Sequence, residues 1–138
     1  MAVLTERMKE LFGRQMNGTF PFGTADKSGV PNLVPVNAVK IVDDETILVS
    51  NQFFGKTLEN LKENPKVAIS FWDKFEGYQV KGKAQIVTEG KIFEETSEWI
   101  RKMGEKLGFP LKSKGAIVIK IEEIYSVSPG PDAGKRLD

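Results

Sequence analysis

Residues 55–68 read Gly55-Lys56-Thr57-Leu58-Glu59-Asn60-Leu61-Lys62-Glu63-Asn64-Pro65-Lys66-Val67-Ala68. Leu58 and Leu61 fall on one face of a short helix over residues 56–63. Asn64-Pro65 ends it, because a residue before proline is pushed out of the helical region. Thr46-Ile47-Leu48-Val49-Ser50 before the segment is a β-branched apolar run, and residues 67–72 after it read as a buried strand. The chain therefore passes from strand to helix to strand. Lys56, the Thr57 hydroxyl and free backbone N–H groups meet at the helix N-terminus, an arrangement that favours anions. A solvated lysine beside a threonine that caps the helix is the plainer reading of the same residues.

Gly55-Lys56-Thr57 shares the ending of a nucleoside-triphosphate P-loop, but that motif also needs a glycine where Ser50 stands. Phe53-Phe54 is moreover a poor flexible cradle. Gly130 to Lys135 is one residue short of the motif and is followed by Arg136. The spacing argues against triphosphate hydrolysis.

Working outward, Leu4, Met8, Leu11 and Phe12 recur at helical spacing before Gly13 and Gly18, predicting an amphipathic helix over residues 3–16. Residues 19–25 read as a short strand, followed by the turn Asp26-Lys27-Ser28-Gly29. Residues 32–42 read as one strand, which forms a hairpin with residues 46–50 across Asp43-Asp44. Pro35 inside that strand cannot donate to a ladder and belongs at an edge or bulge. Tyr78, Val80, Gly82, Ala84 and Ile86 alternate with Gln79, Lys81, Lys83 and Gln85, a clear period of two. Ile92, Phe93, Thr96, Trp99, Ile100, Met103 and Leu107 mark a second amphipathic helix, closed by Gly108 and Pro110. Ile117, Ile119 and Ile121 begin a last strand running towards Val127. Residues 128–138 are rich in Gly, Pro and charge, and are ordered only if something holds them. Hairpins and short helices join the strands, so the expected fold is mainly β: an antiparallel barrel with helices packed outside it.

Composition narrows the chemistry. The 138 residues suit one domain over 1–138, comprising the N-terminal helix, the barrel and the tail. The sequence holds no Cys and no His, which removes thiol nucleophiles, Ser-His-Asp chemistry and Cys- or His-ligated metal. No metal site is expected, and if the protein is an enzyme much of its chemistry is borrowed from a cofactor. A net charge of +1 provides no field to gather nucleic acid or anionic membrane. Residues 1–10 lack the apolar core of a signal peptide and no run approaches a membrane span, so the expectation is a cytoplasmic protein.

Three stretches together carry a resemblance. They are Ala25-Asp26-Lys27-Ser28-Gly29-Val30-Pro31-Asn32-Leu33-Val34-Pro35-Val36, then Thr46-Ile47-Leu48-Val49-Ser50-Asn51, then the opening segment with its Lys-Thr-x-x-Asn-Leu-x-x-Asn-Pro-x-Val core. This succession resembles the pyridoxamine 5'-phosphate oxidase-like family of FMN-binding split barrels, with Tyr78-Gln79-Val80-Lys81-Gly82-Lys83-Ala84 as the following strand. The resemblance covers roughly residues 19–127. It implies a homodimer with FMN in a groove at the subunit interface. Gly55, Lys56 and Thr57 match the segment that meets the phosphate. Val49, Ser50 and Asn51 match the strand end at the flavin; Pro35, Val36 and Asn37 match the strand beside its ring. Gln79 resembles a glutamine that touches the flavin. Many members place Arg or Lys on the early strand, but residues 32–39 contain none, which leaves Lys81, Lys83, Lys135 or Arg136 to supply further positive charge.

The vitamin-B6 enzymes of that family end in an Arg-rich segment, whereas this tail carries only Lys135 and Arg136. The chain is therefore more similar to the short, single-domain flavin binders. The implied activity is a small FMN oxidoreductase or electron carrier. The alternative is a non-catalytic module for flavin, haem or deazaflavin. Among the aromatics, Phe71, Trp72 and Phe75 either line the groove or serve as core and interface, while Phe53 or Phe54 is placed to cover the ring. Trp99 and Met103 read as core. Lys81, Lys83 and Gln85 form either a solvated face or, more remotely, a single-strand nucleic-acid surface.

Overall fold

Two residues, Asn37 and Ala38, join the second strand to the third, and this short link closes the molecule. The computed structural model describes residues 2–138. Its strands are β1 (Phe20–Ala25), β2 (Pro31–Val36), β3 (Val39–Asp43), β4 (Thr46–Asn51), β5 (Lys66–Asp73), β6 (Glu76–Val87) and β7 (Gly115–Ser126). They form one sheet in the order β2-β1-β5-β6-β7-β4-β3, and every pairing is antiparallel. β2 and β3 are thus the two outer strands. Three Cα steps from Val36 to Val39 span at most about 11 Å, whereas the outer strands of a flat seven-stranded sheet lie about 29 Å apart. The sheet must curl until the link can span from β2 to β3, which stay unpaired with each other, and that gives the antiparallel split barrel expected from the strand pattern. It also divides the single strand expected over residues 32–42, since the chain leaves one edge at Val36 and re-enters at Val39 on the other.

The barrel interior is filled by Phe22, Ile47, Val49, Ile69, Phe71, Val80, Ile117, Ile119 and Ile124, all buried. Helix α1 (Glu6–Gly13) closes one end with Met8, Leu11 and the partly buried Phe12. It is shorter than residues 3–16 because Thr5 caps it: the Thr5 hydroxyl accepts from the Met8 N–H at 3.2 Å. After α1 the chain makes a 3-10 turn over Met16–Gly18. Helix α2 (Lys56–Glu63) has the predicted bounds, and α3 (Lys91–Leu107) packs against β7.

The tail is held. β7 loses β4 as a partner beyond Lys120, and the tail covers the strand further on. The Leu137 N–H donates to the Ile124 carbonyl, and the Ile124 N–H donates to the Asp138 carboxylate at 3.0 Å. Arg136 and that N–H hold the Asp138 carboxyl down at about 2. No helix is long and apolar enough to cross a membrane.

Candidate functional site

Rolling the sheet brings β2 opposite the end of β4, and a cavity of about 660 Å³ opens between them. That volume lies within the range of small-molecule sites. One wall is β2 and its link, from Asn32 through Val34, Pro35, Val36, Asn37 and Ala38. A second is the chain from Ser50 through Gln52, Phe53 and Phe54 to the start of α2. The third is Met103 and Leu107 of α3 with Phe109 and Leu111 beyond it. Gly104 allows this last wall, because a Cβ there would come within 2.7 Å of the Phe109 carbonyl oxygen. The chain can turn back against α3 only over a bare backbone.

The polar end is at α2. Gly55 is the N-cap and offers no side-chain bond to the helix, so the first N–H groups are free of a side-chain cap. Thr57 does not cap the helix. It sits inside the first turn, buried, where its hydroxyl accepts from the Asn32 amide at 3.1 Å. The same amide donates to the Thr24 hydroxyl, which also accepts from Asn60. With its lone pair engaged, the Thr57 hydroxyl keeps a proton to donate. Lys56 is the single charged side chain on the described cavity walls. The cavity therefore has one cationic, donor-rich end and an otherwise largely apolar body.

Another polar group faces no partner. Gln52 lines the cavity, and its Oε1 is buried without a hydrogen bond, the only such side-chain atom among the described residues. Leaving an acceptor in that state costs on the order of 1–3 kcal/mol.

Seven of the ten residues singled out from the sequence meet on this cavity: Pro35, Val36, Asn37, Ser50, Gly55, Lys56 and Thr57. The Asn37 amide donates to the Thr19 hydroxyl at 2.7 Å, and the Ser50 hydroxyl pairs with that of Ser113 at 2.7 Å. Three lie off the walls. Val49 is in the barrel core, since alternation along β4 turns it inward. Asn51 is buried, with its Oδ1 accepting from the Phe54 N–H, and so shapes the turn into α2. Gln79 stands on β6, opposite Ser70 and Tyr125.

Several expectations about neighbouring residues change. Phe71 is core, packed against Phe12 and Tyr78, and Phe75 is exposed at the β5–β6 turn. Trp72 lines a second hollow rather than this one. Met103 is a wall residue, and the Trp99 ring lies half-buried beneath the Lys40 ammonium at 4.5 Å. Phe54 turns in to stack on Phe22, whereas Phe53 remains 83% exposed. None of the extra cations reaches the cavity: Lys81 lies over Tyr125, Lys83 near Glu122, Lys135 near Asp132, and Arg136 between Glu123 and Asp138.

Asn32, Gln52 and the α3 wall were missed by sequence reasoning. Asn32 meets Thr57 only through the fold. The one available signal for the wall was the apolar pair Leu107 and Phe109 persisting past the helix end at Gly108.

A rolled antiparallel sheet with a cavity at an uncapped helix end defines the class: a split barrel with a cavity of small-molecule size. Residues 4–128 match the family model described as pyridoxamine 5'-phosphate oxidase, and the chain belongs to that family. It is 45% identical over 115 residues to the uncharacterized protein MJ0282 of Methanocaldococcus jannaschii, covering 81% of this chain and 74% of that one. HupZ of Group A Streptococcus is similar with a TM-score of 0.79 at 30% identity, over 95% of this chain and 99% of that one. An FMN-binding protein from Syntrophomonas wolfei is similar with a TM-score of 0.71 at 25% identity, over 87% and 83% of the respective chains.

Proposed function

We propose that the cavity binds FMN and that the chain acts as a small flavin oxidoreductase or electron carrier, assembled as a homodimer. The observation that carries this reading is the α2 N-terminus, where an uncapped helix end, Lys56 and the Thr57 hydroxyl converge on a largely apolar cavity. A phosphate suits the first feature and a flat conjugated ring the second. The FMN-binding Syntrophomonas wolfei protein of similar fold supports the same ligand.

In this reading Gly55, Lys56 and Thr57 hold the phosphate. Val34, Pro35, Val36 and Asn37 of one wall and Ser50 and Phe54 of another would line the ring. When bound, the flavin supplies hydride or single-electron transfer. The chain supplies orientation, an apolar surround and one positive charge. Its cavity walls carry no carboxylate, His, Cys or Tyr. The same largely apolar lining also fits the second reading, a passive flavin-binding module on the same fold.

Absorption spectroscopy after incubation with FMN tests ligand binding. We expect a yellow complex, and Lys56→Ala to bind FMN at least tenfold more weakly with an unchanged melting temperature. A protein that stays colourless overturns the FMN reading. Oxidation of NADH or NADPH by the loaded protein separates the oxidoreductase from the passive module.

A further inference from the structure

Resting on the FMN reading, we propose that Gln52 is the residue that recognises the flavin ring, its carboxamide accepting a hydrogen bond from the imide N3–H. Gln52 lines the cavity, and its Oε1 is the orphaned buried acceptor. The Asn32 and Asn37 Nδ2 groups on the same walls already donate to protein oxygens. Among the described residues only Gln52 combines a wall position with a buried acceptor that no protein donor reaches.

No protein donor reaches Oε1. The terminal torsion of a glutamine is broad, and turning about it brings Oε1 to the cavity face. A carboxamide presents an acceptor beside a donor. A pyrimidinedione edge presents the complementary carbonyl and N–H, whereas haem has no such edge. Gln52 therefore selects flavins and deazaflavins over haem, a preference that Lys56 alone does not create.

The test is a fluorescence-quenching titration of the full chain with FMN and with N3-methyl-FMN, repeated on Gln52→Met. The methionine keeps the side chain's length without an acceptor. The wild type is expected to bind FMN about tenfold more tightly than N3-methyl-FMN, the worth of one hydrogen bond. Gln52→Met is expected to bind the two alike, at the weaker level. Its ligand-free melting temperature should equal or exceed that of the wild type, since an unpaired buried acceptor has been removed. Equal wild-type affinity for the two flavins, or a preference that survives in Gln52→Met, overturns the assignment of Gln52 while leaving FMN binding intact. A wild type that binds neither flavin overturns the FMN reading itself, and this assignment with it.

Discussion

Asn32 stands on β2 at the polar end of the cavity, beside Thr57. It brings no charge. Its amide donates to Thr57 and Thr24 and so orients a buried hydroxyl towards the anion end of the cavity. Asn32→Asp should therefore separate two roles. The threonine hydroxyls can turn and donate to the new carboxylate, so the melting temperature should change little. The added negative charge should weaken FMN binding at least tenfold, yet leave riboflavin, which lacks the phosphate, nearly unaffected. Equal losses for both ligands would place the phosphate elsewhere. Lys56 and Thr57 were legible in the sequence because the strand–helix junction is local. Asn32 was not: its partners lie 8 and 25 residues away, on β1 and α2, and only the rolled sheet makes them neighbours. Gln52 was hidden for a related reason, because an unpaired acceptor is a property of packing and leaves no pattern in the chain.

The elements were legible where each carries its own signal. α2 has its glycine before it and Asn64-Pro65 after it, and both ends stand as read. The β2–β3 break was invisible because Asn37, with no Gly, Pro, Asp or Ser beside it, is a weak turn signal by itself; curling of the sheet creates it. How the elements are clamped is likewise a matter of contacts. Arg7 of α1 reaches Glu76 of β6 at 2.6 Å, and the Tyr78 hydroxyl donates to the same carboxylate at 2.7 Å. Burial first, and that bond second, push the Tyr78 phenol up to about 12. Because the folded value lies above the ordinary value near 10, this stabilisation is complete below pH 10 and is lost as pH rises towards 12. The Arg7 guanidinium acts oppositely on Glu76, lowering it, so that contribution is present above the ordinary carboxylate range and is lost in acid. Absorbance titration near 295 nm should show a tyrosine step at about 12 that disappears in Tyr78→Phe. Retention of the step in Tyr78→Phe would assign it to Tyr125 instead.

At the scale of the whole molecule, the cavity is not the only apolar concavity. A second hollow of about 440 Å³, lined by Met16, Pro21, Leu33 and Trp72 among others, shares Asn17, Val34 and Pro35 with the first. Leu33 is 71% exposed and Met16 64% exposed. β2, the strand between the two hollows, carries no charged residue, although outer strands are commonly protected by charge. Pro31 and Pro35 remove two of its N–H donors, so a partner would meet this edge through side chains rather than by extending the sheet. An apolar face continuous with the ligand cavity suits a second copy of the chain, which would cover it and narrow the cavity mouth at the same time. Sedimentation should then give twice the 15.4 kDa chain mass. Leu33→Glu places a charge on the exposed outer side of β2, away from the core, and should yield a folded monomer. If the partner also encloses the flavin, that monomer should bind FMN several-fold more weakly, although every residue lining its own cavity is unchanged. A wild-type monomer would refute the homodimer. A Leu33→Glu monomer with full FMN affinity would instead show that one chain builds the site alone.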